Sequence, residues 1–378
     1  MQLELNETQR MVRDAARDFA EKEILPHAAR LDAEGTMPLA QLKGLAELGM
    51  MGVNIPDALG GAEAGVVSMS LAMQEVARAC ASTAVTMSVT NMVGEVIARF
   101  GSEAQAKQHV PKLCSGEYVA GSFALSESGA GSDPGGMSTR AERDGDGWVL
   151  NGGKQWITSA DVAGVFVVWA RTGGPGTKGI SCFLVEQGTP GLSIVSKEEK
   201  MGLRASSTCS LAFEDCRLPG DAMLGQEGGG FKVAMMALDG GRIGIASQAL
   251  GIGRAALEES ISYAKERKQF DAPIADLQAI QWMIADSTTE LEAARLLTLR
   301  AAFMKENGEL FSQQAAMAKL YASEAAGRVC DRNVQIHGGS GYVRDYAAER
   351  HLRDVRVTRI YEGTSEIQRV VIGRSALR

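Results

Sequence analysis

Apolar positions along the chain change texture twice. From residue 1 to about 120 they follow a helical period. Met11, Ala15 and Phe19 recur at i, i+4 and i+8, one face of a helix. Asn6 and Gln9 ahead of them have the spacing of a capping box. Pro26 is predicted to end or kink this helix. A second segment, Leu39 to Leu48, stops at Gly49, and Ile55-Pro56-Asp57-Ala58-Leu59-Gly60-Gly61 has turn chemistry. Helical patterning returns from Val66 to Ala81 and again from about Val85 to Phe100, where Gly101 stops it. Met69, Met73, Met87 and Met92 on these segments read as core filler.

From Gly121 the period shortens. Trp148-Val149-Leu150, Val165 to Trp169, Ile180 to Val185, Leu192 to Val195 and Ser210 to Phe213 are short β-type runs. Turns separate them at Asp144-Gly145-Asp146-Gly147, Gly173-Gly174-Pro175-Gly176 and Gly188-Thr189-Pro190-Gly191. Strands this short and close predict a small barrel or sandwich that ends near Pro219-Gly220.

After Gly228-Gly229-Gly230 the helical period resumes. Phe231 to Phe270 reads as one or two long helices with an interruption at Gly240 and Gly241. Ile274 to Glu306 and Phe311 to Ile336 are long and amphipathic, separated by Asn307-Gly308, which predicts an antiparallel bundle. The expected fold is mainly α with a central β-domain: an N-terminal helical domain (1–120), a β-barrel domain (121–225) and a C-terminal helical bundle (226–378).

Composition narrows the function. The 378 residues are 45% hydrophobic, enough for two or three domains with real cores. No apolar run of about 18 residues predicts a membrane span. Met1 to Arg10 is polar, without a signal-peptide or transit-peptide pattern, so a cytoplasmic location is expected, or a mitochondrial matrix one if a presequence has been removed. The net charge of −7 argues against a nucleic-acid partner. Six cysteines form no C-x-x-C pair, and four histidines complete no zinc spacing, so no metal is expected and the thiols read as buried and reduced.

Near the end lies Arg359-Ile360-Tyr361-Glu362-Gly363-Thr364-Ser365-Glu366-Ile367-Gln368-Arg369. Ser365 and Gln368 have capping-box spacing, so a helix is expected to begin there, with the carboxylate of Glu362 just before it. Gly363 allows close backbone approach to a ligand. This pattern fits a carboxylate base. Taken alone it fits better an acid placed at a favourable helix N-terminus. Nucleotide motifs do not help. Gly129-Ala130-Gly131-Ser132-Asp133-Pro134-Gly135 breaks the dinucleotide fingerprint at Pro134 and opens no βαβ unit.

Four stretches in register carry a resemblance. Phe123-Ala124-Leu125-Ser126-Glu127-Ser128-Gly129-Ala130-Gly131-Ser132-Asp133 resembles the flavin loop of the acyl-CoA dehydrogenases, and Trp156-Ile157-Thr158 resembles their second flavin motif. Gln335-Ile336-His337-Gly338-Gly339-Ser340-Gly341-Tyr342 and Ile360-Tyr361-Glu362-Gly363-Thr364 resemble their two C-terminal signatures. Together with Leu238 to Ala246 they are most similar to the short-chain, butyryl-CoA type of the family.

The resemblance implies α,β-dehydrogenation of short or short branched acyl-CoA thioesters, as in fatty-acid β-oxidation or branched-chain amino-acid degradation. It implies FAD as cofactor and Glu362 as the base for the α-proton. Gly241 stands where some members carry that base on a bundle helix, which leaves Glu362 without a competitor.

FAD contacts are implied for Phe123, Leu125, Ser126, Gly131, Ser132, Trp156, Ile157 and Thr158. Further contacts, across a subunit interface, are implied for Arg267, Phe270, Gln278, Gln335, Ile336, His337, Gly338 and Gly339, with Thr364 and Glu366 on the adenosine side. Ser132, Asp239, Arg242, Tyr361 and Gly363 are implied substrate contacts. The implied partners are an electron-transfer flavoprotein and copies of the chain itself, in a homotetramer built as a dimer of dimers. An oxidase, a decarboxylating relative and a catalytically silent assembly subunit on the same fold are the alternatives.

Three departures stand out. Ser128 replaces a usual Pro, which predicts a looser loop, and Asp271 replaces a usual Gly. His337 replaces a Leu of the short-chain enzymes and is expected to pack rather than react.

Overall fold

The computed structural model describes residues 4–377; the first three residues of the polar opening lie outside them. The chain opens with α1 (Glu7–Phe19), a π-helical turn (Ala20–Ile24), α2 (Leu25–Glu34), α3 (Leu39–Glu47), α4 (Gly65–Ala79), α5 (Ala81–Phe100) and α6 (Glu103–Ser115). The capping box at Asn6 forms: Gln9 N–H donates to Asn6 Oδ1 at 2.8 Å and Asn6 N–H to Gln9 Oε1 at 3.0 Å. The face expected for α1 holds in part: Ala15 and Phe19 pack against the core beside the buried Ala16, whereas Met11 is exposed. Pro26 does not end the helix. The π turn absorbs its missing donor, with Leu25 N–H reaching Ala20 O, and α2 continues with Pro26 in its first turn.

The middle domain contains β1 (Ala120–Ala124), β2 (Arg140–Asp144), β3 (Gly147–Thr158), β4 (Ala163–Arg171), β5 (Ile180–Glu186), β6 (Leu192–Lys197) and β7 (Thr208–Leu218). They pair in the order β1-β4-β2-β3-β7-β6, with β5 on β4. β4 and β5 explain why their sequences read as unbroken apolar runs. Val165, Val167 and Trp169 face the helical core, whereas Phe166, Val168 and Ala170 face the core of the β-domain. Strand alternation thus serves two cores at once. Trp169 Nε1 donates to Gly230 O at 2.8 Å and ties the sheet to the helix that follows.

That helix, α7 (Gly230–Glu266), runs 37 residues without a break. The interruption expected at Gly240 and Gly241 does not occur. Each glycine costs about 1 kcal/mol against Ala in a helix interior, but packing overrides propensity here. A Cβ on Gly240 would lie 2.9 Å from Lys305 Nζ, and one on Gly241 would lie 2.6 Å from Glu362 Oε2. The chain then forms a hairpin of β8 (Lys268–Gln269) and β9 (Ala272–Pro273), followed by α8 (Gln278–Glu306), α9 (Ser312–His337), α10 (Ala348–Val355) and α11 (Ser365–Ala376). All six cysteines are buried free thiols. Among the described residues no helix is long and apolar enough to cross a membrane, and no group of three or more His, Cys, Asp or Glu side chains could hold a metal.

Candidate active site

Glu362 sits on a strained turn between α10 and α11. Its φ is +55°, a left-handed value that non-glycine residues rarely adopt, and Gly363 follows at +85°. The expected cap is displaced by one residue. Thr364 Oγ1, not Ser365, accepts from the helix, taking Ile367 N–H at 3.4 Å. Ser365 instead donates to Glu324 at 2.9 Å. Gln368 does reach back, but to carbonyls: its Nε2 donates to Gly363 O at 2.8 Å and to Glu362 O at 3.1 Å.

The carboxylate of Glu362 points at α7, against Gly241 and Met92. Gly241 and the Glu362 carboxylate therefore meet at one point, and of the two residues only Glu362 carries an acid there. Oε2 is buried without a hydrogen-bond partner. Burial pushes the carboxyl up to about 7, and the positive charges of Arg242 and Lys319 pull against that rise. Arg242 is only 5% exposed, and its guanidinium pairs with Asp239. Asp239 also accepts from Ser312 at 3.0 Å. These two implied substrate contacts thus bind each other. Tyr361 donates its hydroxyl to Gln248, and burial raises its phenol well above the ordinary value.

Gly241 and Met92 also line a cavity of about 40 Å³ between α4, α5 and α7, with Met69, Met73, Ser88 and Ala237. The ion pair of Lys305 with Glu95, 2.6 Å long, stands at its edge.

The flavin-type loop is braced from beneath. Glu127 accepts from Ser138 N–H at 2.6 Å, Ser138 Oγ at 2.8 Å, Thr139 N–H at 3.0 Å and Lys154 Nζ at 2.8 Å. Glu127 and Ala130 exchange two backbone hydrogen bonds, which close the turn that Ser128 was expected to loosen. Beyond Gly129 and Gly131 there is open space, and Ser132 is exposed beside them. Phe123 is half-buried and packs tilted against Trp169 at 4.2 Å between ring centroids, and Leu125 is buried, so Leu125 is committed to packing and Phe123 partly so.

Trp156 is not a core residue. A register shift between Lys154 and Ile157 puts it at φ +66°, and its side chain is 56% exposed. Such bulges re-aim a side chain. Ile157 turns the other way, into the β-domain core, which leaves only its backbone for a ligand. Thr158 and Ser126 are half-buried.

The remaining implied contacts, apart from Thr364 and Glu366 beside Glu362, gather at the far end of the bundle. Arg267, Phe270, Gln278 and Gln335 are exposed, Phe270 by 88%. Phe270 and Asp271 form the hairpin turn at φ +55° and +63°. The usual Gly at 271 has its reason in that left-handed geometry, which Asp tolerates. Ile336 packs with Ala264 and Ile274. His337 is buried, stacked on Tyr263 at 4.2 Å, with Nδ1 bonded to Asn333 O at 2.8 Å, and so packs as expected. Gly338 and Gly339 face open space. Thr364 is used as the cap of α11, and Glu366 is exposed.

Lys319 was missed from sequence. Its signal is a lysine on the buried stripe of α9 formed by Ala315, Ala322 and Ala326.

Comparisons with known proteins bear on the fold and the family. The acyl-CoA dehydrogenase N-terminal domain matches residues 6–117, the middle domain residues 122–216 and the C-terminal domain residues 228–377. The short-chain specific acyl-CoA dehydrogenase, mitochondrial, of Bos taurus is 52% identical over all of this chain and 92% of its own length. Butyryl-CoA dehydrogenase from Megasphaera elsdenii superposes with a TM-score of 0.98 at 41% identity, with both chains fully covered. A chain in a structure described as the electron transferring flavoprotein of Acidaminococcus fermentans superposes at 0.99, also at 41% identity and full coverage of both chains. With all three domains matched in order, the chain belongs to the acyl-CoA dehydrogenase family, whose members are FAD-dependent oxidoreductases.

Proposed function

We propose that this protein dehydrogenates short acyl-CoA thioesters, straight or singly branched, to trans-2-enoyl-CoA, with Glu362 as the base. One observation carries the reading: a carboxylate whose buried Oε2 has no partner, pushed up to about 7, set against Gly241, which also lines a small cavity. A base poised near neutrality matches the task of taking a weakly acidic α-proton. The left-handed turn fixes its direction, so little reorganisation is needed when substrate arrives. A water-sized site needs about 10–15 Å³ of such space, so the cavity has room for only a few carbons beyond the thioester.

The residues fit FAD. Trp156 offers an open aromatic face, Thr158 and Ser126 offer hydroxyls, and Gly129 and Gly131 leave space for a ligand to approach their backbone. FAD, when bound, supplies the acceptor for the hydride leaving the β-carbon. Ser132, exposed on the loop, is suited to the pantetheine arm.

Arg267 lies 26 residues beyond Gly241 on α7, about 39 Å at 1.5 Å per residue. That separation is too large for the Arg267, Phe270, Gln278 and Gln335 to Gly339 group to hold the same dinucleotide within one chain. It supports the reading that they serve the FAD of a neighbouring copy, in a homotetramer. Likeness to the Acidaminococcus fermentans chain supports an electron-transfer flavoprotein as the electron acceptor.

The test is anaerobic addition of butyryl-CoA to the purified protein. Bleaching of a flavin spectrum with formation of the enoyl thioester is expected. A colourless protein, oxygen uptake in air matching turnover, or release of carbon dioxide would each overturn the reading.

A further inference from the structure

The turn that carries Glu362 is held in part by a group far outside the stretch that pointed to it. Lys319 is fully buried in α9, and its Nζ donates to Gly363 O at 2.7 Å. Gln368, from α11, donates to the same carbonyl at 2.8 Å. Two donors from two helices thus converge on one oxygen, directly after the left-handed residue that bears the carboxylate. Lys319 makes no ion pair with Glu362, so it acts on Glu362 through the backbone and through its field.

We propose that Lys319 is a positioning residue for Glu362: its ammonium clamps the Gly363 carbonyl, holds the left-handed turn that aims the carboxylate at Gly241, and sets a positive charge beside it. The inference rests on the reading of Glu362 as the base.

The electrostatic surroundings are consistent with this role. Arg242 faces Glu362 from α7, with its charge shared by Asp239. Glu324 on α9 is engaged by Arg359 and Ser365, Glu366 on α11 is exposed, and Tyr361 is tied to Gln248. Lys319 and Arg242 are therefore the two cations that oppose the burial of Glu362. Burial lowers Lys319 to about 8, and the charge of Glu362 works against that fall. A lysine kept only to satisfy a carbonyl would stabilise the turn and nothing more. A lysine that also sets the field moves the pH at which the base becomes active.

The experiment is stopped-flow anaerobic flavin reduction by butyryl-CoA across neutral pH, in holoenzyme carrying Lys319→Met, Lys319→Arg or Lys319→Gln. Lys319→Met is expected to slow reduction at least about tenfold at neutral pH and to move the midpoint alkaline by roughly one unit or more. Lys319→Arg should restore most of the midpoint. Lys319→Gln keeps a donor and loses the charge, so it should show the same alkaline shift, and it carries the test if the Met variant fails to fold.

A second readout needs no turnover. Difference infrared titration of the Glu362 carboxyl, with Glu362→Gln as the blank, should show the same displacement. A lowered melting temperature with an unmoved midpoint in both readouts would overturn the inference. Reduction of Glu362→Gln at the wild-type rate would instead overturn the base assignment beneath it.

Discussion

Glu127 and Glu362 are both enclosed carboxylates with a buried lysine nearby, Lys154 and Lys319 respectively. Burial alone would raise both. At Glu127 the charge of Lys154, its hydrogen bond and the donors of Ser138 and Thr139 win, and the carboxyl stands at about 2. At Glu362 no lysine contact forms, Oε2 has no partner, and the carboxyl stands at about 7. Lys154 itself is lowered by burial to about 8, with Glu127 opposing the shift. Hydrogen-bond satisfaction separates them: four donors reach Glu127, and none reaches Glu362 Oε2. Satisfied, a buried acid braces a loop; unsatisfied, it stays available for a proton.

Four predictions bear on that contrast. The largest effect is expected from Glu362→Gln, which should slow flavin reduction by roughly 10²–10⁴-fold or more while flavin absorbance and fold remain. Next comes Glu127→Gln. It leaves Lys154 buried without its counter-ion, a loss of roughly 3–5 kcal/mol, to be read as a lower melting temperature and weaker flavin retention. If the two variants exchanged phenotypes, the contrast would fail.

The third effect is on stability against pH. Glu362 has a folded value above the ordinary 4.5, so its contribution to stability is complete below about 4.5 and is lost as pH rises through about 7. Glu127 lies below its ordinary value, so its contribution is present above about 4.5 and is lost as pH falls towards about 2. Denaturant melts should therefore show Glu362→Gln level with wild type in acid. Its stability should then gain on wild type by about 1.4 kcal/mol per pH unit between those two values. Glu127→Gln should fall furthest behind wild type towards neutral pH.

The smallest effect is expected from Gly241→Ala. Helix propensity should add up to about 1 kcal/mol of stability. The new methyl, built 2.6 Å from Glu362 Oε2, should displace the carboxylate and slow reduction. A variant that gained stability and kept the full rate would show that the carboxylate need not rest against α7.

Much of this was legible in the chain. The change from helical to strand period and back marked the three-part fold, and the stretch around Tyr361-Glu362-Gly363 drew attention to the carboxylate proposed as the base. What escaped was decided by packing. Gly240 and Gly241 read as a break because propensity counts against them, yet close approach of Lys305 and Glu362 keeps α7 whole. β1 and β2 went unread because Ala120–Ala124 is small and Arg140–Asp144 is charged, with no alternation to follow. Gln368 looked like half of a capping box, and its amide instead holds the carbonyls of Glu362 and Gly363. Lys319 sits 43 positions before Glu362, and only the meeting of α9 with the turn reveals it. The exposure of Trp156 depends on a bulge that no residue type announces.

The most direct test of the central claim is the pH dependence of anaerobic flavin reduction by butyryl-CoA, in wild type and in Glu362→Gln. The wild-type kcat/KM should rise with pH through about 7 and level off, because the free carboxylate is the active form. The variant should be slow and flat across the same range. A variant that kept the wild-type rate, or the same rise through neutrality, would contradict the assignment of Glu362 as the base.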